Sequence, residues 1–573
     1  ELVLTIDDTK LTGYLQTNFD DVMSLFVAQG GTSTSTLSYI GLSRDTEEGE
    51  YTVHINRAAT RGTETGNVDL SSGGAGETLT ITQGNSAAAI TITSGMTLAD
   101  IKNEINAELD TKYTETLVGL EQLYADSTQT NKITSETTWN SVYDSVGTSA
   151  GLQNNDVIEF SGTSRSGAAI SGSYTISDIT SDTVQGLLSA TEDAFSREVT
   201  ATINTDGKIV LTDKNVGNSQ LSLVITEPAS LDFGTVETTN TGGQEGRYSM
   251  AITATDDGSN HLVLRSDDYG STSFTISQDT SDGNYDHIVY TTTSNTTDST
   301  SGTVYITEDT AWSDIYGASL VVTDEIDITG FARDGTTPIS GTYAISSLSD
   351  PVSGLLSAIE AAYSAQGTTV DAFIRDGKIY VEDQDDVLNN GASAIALTLT
   401  PDYVGGGSGL TLGTFDQTTE RDLDLGLLNG AVTGQAVAGT IGGEAATGGG
   451  QVLSGNDGNT NTDGLSIRYS GTANDTDVGT ITLTLGVAEL FERALYGITD
   501  SIDGYAAFKQ TSLQNSIDSY ETQIENMEAR LDRKMEMMIT RFVAMELALS
   551  KLQNQSSWLT GQISASYSGW GWL

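Results

Sequence analysis

The sequence predicts a multidomain protein of mainly β and α+β modules, small sheet sandwiches with single helices, followed by one long C-terminal coiled-coil helix. Three observations carry this. Residues 508–560 hold an apolar seam at helical spacing. The stretch from about 31 to 430 is rich in Thr, Gly and Asp and broken into short alternating runs, the pattern of strands closed by turns. Within it, two blocks repeat one another, so one folding unit is present twice.

In chain order, Leu2–Ile6 alternates as a strand. Asp7-Asp8 supplies a helix cap before a helical Lys10–Leu15, and a second short helix after Asn18 carries Phe19, Val22, Met23, Leu25 and Phe26. Beyond Gly30 come candidate strands at Tyr51–Ile55, Leu79–Thr82, Ala89–Thr93, Ser249–Thr253 and Leu262–Leu264, with a helical pattern at Leu98–Leu109. The repeat is read from four matched pairs: WNSVY at 139–143 and WSDIY at 312–316, ISGSY at 170–174 and ISGTY at 339–343, GLLSA at 186–190 and 354–358, DGKI at 206–209 and 376–379. Each copy reads as a strand, a hairpin through ISG, a helix from GLLSA (Leu187–Phe195; Leu355–Tyr363) and a hairpin at DGK, where Asp-Gly supplies the positive φ of a tight turn.

These signals divide the chain as follows: a core domain of 1–30 and 430–503, an outer module of 31–110 with 247–300, the first repeat copy inserted at 111–246, the second copy at 301–429, and a helical leg at 504–573. The passage 405–464 is Gly-rich, then strands at Leu465–Tyr469 and Thr480–Leu485 and a helix at Val487–Tyr496 lead into the leg.

The formal charge is −53, from 78 acidic against 25 basic residues. That excludes a nucleic-acid surface, which needs basic neutralisation of phosphates. No run of eighteen apolar residues could span a membrane. Cysteine is absent, which removes disulfides, thiolate metal sites and cysteine nucleophiles. The chain opens on Glu1 without a basic and apolar leader, which leads us to expect a trimmed product exported without a cleaved signal peptide.

The seam of the long helix is the candidate interface. It runs through Leu513, Ile517, Tyr520, Ile524, Met527, Leu531, Met535, Met538, Phe542, Met545, Leu549, Leu552, Leu559 and Ile563, with Ser556 as the one polar position between Leu552 and Leu559, in steps of three and four as a coiled coil requires. Two fours in succession at Met527, Leu531 and Met535 break the heptad and relax the supercoil there. Burying fourteen such side chains contributes about 20–40 kcal/mol, against about 1–2 kcal/mol per residue for ordering the backbone, so the helix needs a partner. No other segment of the chain has matching length, which points to an intermolecular partner or to a helix from a part of the protein outside this sequence.

Catalytic patterns are missing. His54, His261 and His287 are far apart and lack metal or triad spacing, so they read as scattered surface histidines. Acidic pairs such as Asp20-Asp21, Asp256-Asp257 and Asp385-Asp386 read as turns of an acidic chain. No cofactor is expected. Asp457, Asn459, Asn461 and Asp463 offer oxygens at alternate positions, as a calcium loop does, but Thr462 and Arg468 stand where that loop wants Gly and Glu. Arg530, Arg533, Lys534 and Arg541 form a rare basic patch on the long helix.

Several of these stretches resemble the flagellar hook-associated protein 2 family. They are LTIDDTKLTGYLQTNFDDVMSLF at 4–26, GEAATGGGQVLSG at 443–455, DGLSIRYSGT at 463–472, GTITLTLGVAELFERAL at 479–495 and, most specifically, FVAMELALSKLQNQSSWLTGQI at 542–563. The segment 78–109 is also similar to a short motif of flagellins and hook-associated proteins. The resemblance implies a non-enzymatic assembly protein at the flagellum tip, outside the cell, capping the filament and promoting flagellin polymerisation. It implies a homo-oligomer of about five copies, with flagellin and hook-associated proteins as partners and room for an export chaperone on the C-terminal helix. Members of the family begin with a helix that pairs with the C-terminal one, and that segment is not found ahead of Glu1. A surface adhesin, whose outer modules bind host or matrix ligands, is the alternative reading.

Overall fold

The structure, a computed structural model, describes residues 7–74, 76–228, 230–278, 287–298, 302–384, 393–421 and 424–568. The expected strand at Leu2–Ile6 and the pair Asp385-Asp386 lie outside these residues, as do the side chains of Asp20 and Asp21. Two compact units emerge, one of residues 30–483 and one of 1–29 with 484–573.

The larger unit is a set of nested insertions. Its base is an eight-stranded sheet in the order Gln29–Thr32, Thr476–Thr484, Gly49–Arg57, Ala438–Ile441, Glu444–Gly449, Val452–Gly455, Ser466–Tyr469, Leu37–Gly41. Alternate residues of these strands, among them Val53, Ile55, Ile441, Leu453, Ile467 and Ile481, form its core. The Gly-rich passage is therefore strand and hairpin: Gly442 and Gly443, at φ 62° and 79°, make the two-residue turn between paired Ile441 and Glu444. Sequence alone placed Tyr51–Ile55 in the outer module, yet Gly49–Arg57 is a central strand of this base, hydrogen-bonded to 438–441 and 476–483. Alternation marks a strand without naming its partner, and here the partners lie nearly 400 residues downstream.

Between Arg57 and Ala438 a second module is inserted. It combines the sheet Gly430–Thr433, Ser273–Gln278, Glu77–Gln83, Ser86–Ile92 with the sheet Ile252–Asp256, Leu262–Ser266, Thr63–Thr65. Three helices of the chain precede or lie in this region: α1 (Asp8–Thr17), α2 (Phe19–Ser24) and α3 (Leu98–Asp110). The third starts at a capping box of Thr97 and Asp100 and buries Ile101, Ile105 and Leu109 against the sheets. Leu425, Leu427 and Val432 share this core, so the segment around 430 belongs to this module and the base resumes only near 437.

Both repeat copies are inserted into that module, and both have one topology. The first copy's sheet runs Val199–Ile203, Ile209–Val216, Thr114–Gly119, Val236–Glu237, Ser222–Thr226, Val157–Thr163, Ala169–Thr175. The second keeps the order in two sheets: Val370–Arg375, Lys378–Asp383, His287–Thr292, Phe415–Arg421, then Ala396–Asp402, Glu325–Phe331, Pro338–Ala344. Helices α4 (Val184–Ala194) and α5 (Ser353–Ser364) cover them at the expected GLLSA positions. The second copy thus takes in His287–Thr292, ahead of the boundary of 301 expected from sequence. Trp139 and Trp312 are buried, with Nε1 donating to Tyr174 Oη at 3.4 Å and to Tyr343 Oη at 3.1 Å.

The ISG motif is not a hairpin. It lies inside the strands Ala169–Thr175 and Pro338–Ala344, paired along their length. Its glycine is there for space: a Cβ on Gly172 would lie 2.5 Å from the Phe160 ring.

The smaller unit holds α1, α2, α6 (Val487–Thr499) and α7 (Tyr505–Ser568). Asp7 caps α1 by accepting from Lys10 N, as expected from Asp7-Asp8. The Val487 and Ala488 amides donate to the Leu25 and Phe26 carbonyls at 2.8 and 3.1 Å, tying the start of α6 to the end of the N-terminal pair. Asp500 accepts from the amides of Ile502 and Asp503 at the turn into α7.

Candidate assembly interface

Helix α7 contains no proline, and its one glycine, Gly561, lies near the end, so nothing interrupts 64 residues of helix. At about 1.5 Å per residue it extends about 95 Å. All fourteen seam residues lie on it, and each is between 48 and 65 % exposed. A helix of the described chain thus presents its whole apolar seam to solvent.

Sequence reasoning stopped at the seam and missed its neighbours. Met537, Ile539, Val543, Leu547 and Trp558 are equally exposed and off the seam. Together with Met535, Met538, Phe542, Met545 and Leu549 they make the middle of α7 apolar nearly all round, which is the signature of a helix enclosed by more than one neighbour. The signal was present in the run MEMMITRFVAMELAL, where apolar residues also fill positions between those of the seam. Val487, Leu490, Phe491, Leu495 and Ile498 of α6 are exposed as well.

The remaining candidates behave otherwise. His54 lies at the surface beside Asp477, and His261 caps a turn against Asp257. His287 is buried, contrary to expectation: its Nδ1 meets Glu382 Oε1 at 2.7 Å, and Arg421 Nε donates to Glu382 Oε2 at 2.8 Å. Burial works to raise the Glu382 carboxyl, but the His287 hydrogen bond and the Arg421 charge outweigh it and hold it below the usual carboxylate range. A second buried pair, Arg375 with Glu64, joins the second repeat copy to the module that carries it.

The proposed calcium loop has the wrong polarity. The amides of Thr460, Asn461 and Thr462, with the Thr462 hydroxyl, converge on the Glu444 carboxylate. Asn459 spends its Nδ2 on the Ala445 carbonyl, and Asp463 accepts from Gly458 N. The Thr462 hydroxyl and these amides hold the Glu444 carboxyl below its ordinary range. Among the described residues no group of three or more His, Cys, Asp or Glu could hold a metal ion.

Residues 458–554 match the family model for the flagellar hook-associated protein 2 C-terminus. The C-terminal part of this chain is thus similar to that of a hook-associated protein 2. The matched segment takes in the last two strands of the base sheet, α6, and α7 through Asn554, hence twelve of the fourteen seam residues. No curated protein sequence matches the chain. Among solved structures, the flagellar cap protein FliD from Helicobacter pylori is 12 % identical, covering 78 % of this chain and 98 % of that one at a TM-score of 0.16. The D1-D2-D3 domains of FliD from Escherichia coli are 15 % identical, covering 43 % and 58 % at a TM-score of 0.15. At these identities and scores, neither structure assigns a role to any residue of the matched segment. No described helix is long and apolar enough to cross a membrane.

Proposed function

We propose that the chain is a structural protein of the bacterial flagellum that caps the filament tip and promotes flagellin polymerisation. The observation that carries this is a single one: the segment matching a hook-associated protein 2 C-terminus coincides with a helix whose complete seam is exposed. In this reading α7 is a leg that docks on partner helices, the fourteen seam residues are its contact surface, and flexible thioethers at Met527, Met535, Met538 and Met545 let it fit changing neighbours. The eight-stranded sheet is the foundation and the nested modules project from it. Several copies act together, outside the cell, with flagellin and hook-associated proteins as partners and without catalysis. None of the matches favours the adhesin alternative.

Gold-labelled antibody raised against residues 31–430 and imaged on intact cells tests this. Label confined to filament tips is expected. Label along filaments or over the cell body overturns the reading.

A further inference from the structure

The second repeat copy touches the base sheet without being joined to it by the chain. The chain leaves the base after Arg57 and resumes it near Val437, and the two crossings run side by side. There the Thr60 amide donates to the Gln435 carbonyl at 2.8 Å, and the Gln435 amide to Thr60 Oγ1 at 3.0 Å. A Cβ on Gly434 would lie 2.5 Å from the Thr60 carbonyl oxygen, so the crossings close to backbone contact. This one double strand covalently holds everything between, the second copy included.

Beside the double strand the copy reaches back to the base. Arg57 Nη1 donates to the Thr303 carbonyl at 2.5 Å, while Nε and Nη2 hold the Ala436 carbonyl at 3.1 and 3.0 Å. A cavity of about 270 Å³ lies alongside, between Ala58 and Asn474 on one wall and Val304 and Tyr305 on the other. At its margin two acids meet. Asp298 precedes the Thr303–Tyr305 stretch and Asp475 follows Asn474, and each buries its Oδ1 without a hydrogen-bond partner among the described residues. The charges that act on Asp298 come from Asp475 of the base and Asp314 of its own copy, and no cation offsets them; Arg57, Tyr305 and Asp376 border the cavity. Contacts between modules elsewhere in the chain set acid against base, as Arg375 with Glu64 does. This one sets acid against acid.

We propose that the joint is a proton-operated latch: with Asp298 protonated the second copy rests against the base, and with Asp298 ionised the copy and the module carrying it turn away about the double strand at 58–62 and 433–437. Burial and the neighbouring acids raise the Asp298 carboxyl to about 6, so the closed form holds a proton that a solvated Asp298 would release. Closure is therefore favoured on the acid side and lost as pH rises through about 6. The net charge of −53 pushes the same way, because self-repulsion opposes the compact arrangement. The latch goes beyond the cap reading and holds wherever the protein works.

The chain has no cysteine, so introduced thiols take labels alone. The full chain carrying Glu48→Cys in the base and Ser340→Cys in the second copy, both exposed positions, receives a nitroxide at each. Pulsed dipolar spectroscopy at pH 5 and pH 8 reads the distance between them. The ratio of the longer-distance form to the closed form should rise about tenfold from pH 5 to pH 8. Asp298→Asn should keep the pH 5 ratio at pH 8, and Asp475→Asn should cut the rise to about threefold. Circular dichroism checks that each variant is folded. A labelled parent whose ratio changes less than about twofold, or an undiminished rise in either variant, would overturn the proposal. None of these results depends on where antibody labels the cell, so failure here and failure of the cap reading are separable.

Discussion

Replacing Asp298 by Asn should stabilise the protein at alkaline pH and do nothing at acid pH. Asp298 begins the stretch of the second repeat copy that returns through Val304, whose carbonyl accepts from the Asp298 amide at 2.7 Å. Asp475 lies at the end of the base sheet, its amide donating to the Asn56 carbonyl at 3.3 Å. Oδ1 of each carboxyl is buried without a hydrogen-bond partner among the described residues. Burial, then the charges of Asp475 and Asp314, raise the Asp298 carboxyl from its ordinary 3.8 to about 6. A raised pKa means that the folded state holds a proton the unfolded chain releases, so the stabilisation is complete below pH 3.8 and is lost as pH rises through about 6. Taken whole, the difference would amount to about 3 kcal/mol; partial exposure of the group reduces this to about 1 kcal/mol. An amide carries no charge to penalise, so at pH 8 Asp298→Asn should raise the melting temperature of the transition that contains this copy by about 3 °C. Calorimetry of the full chain at pH 8 and pH 5 should show that advantage closing at the lower pH. Equal gaps at both values, or a variant less stable than the parent at pH 8, would refute the reasoning.

Three further outcomes follow from the packing. Gly172→Val, whose Cβ would lie 2.5 Å from the Phe160 ring, should cost about 1–3 kcal/mol in urea unfolding, and Gly341→Val, which meets the Ala362 Cβ at 3.2 Å, should cost less. Glu382→Gln leaves the buried Arg421 and His287 without their common carboxylate and should cost about 3–5 kcal/mol by chemical denaturation. Replacing residues 114–246 by a short Gly-rich linker should leave the other thermal transitions within a few degrees of the parent. The insertion ends already adjoin there, with the Met250 amide on the Leu109 carbonyl at 2.8 Å.

Local signals in the sequence proved dependable where they were local in cause. The long helix, the GLLSA helices, the DGK hairpins and the helix at Leu98–Asp110 all depend on neighbours within a few residues. What failed were partnerships. Gly49–Arg57 looked like any outer strand, and the Gly of ISG looked like a turn until the ring of Phe160 explained it. His287 sat apart from Glu382 by 95 residues, too far for spacing to link them. At the candidate interface, the seam was readable because heptads are local, but the apolar residues beside it, Ile539, Val543 and Leu547, fall outside a heptad pattern and were missed. Glu444, the organiser of the Gly- and Asn-rich loop, was overlooked because it stands outside the motif it serves.

Nesting also imposes an order of events on the newborn chain. Arg57 grips the Ala436 carbonyl across 379 residues, Gln278 meets Asn429 across 151, and Asn106 meets Ala254 across 148. Closing such loops while they are unstructured is slow, and each becomes short once the segment inside it has condensed. The two repeat copies therefore fold first, the module carrying them second, and the eight-stranded base last. A chain caught midway has finished extremities and no foundation. The matched segment begins in strands of that base, so its first part is completed only when the rest of the larger unit is in place.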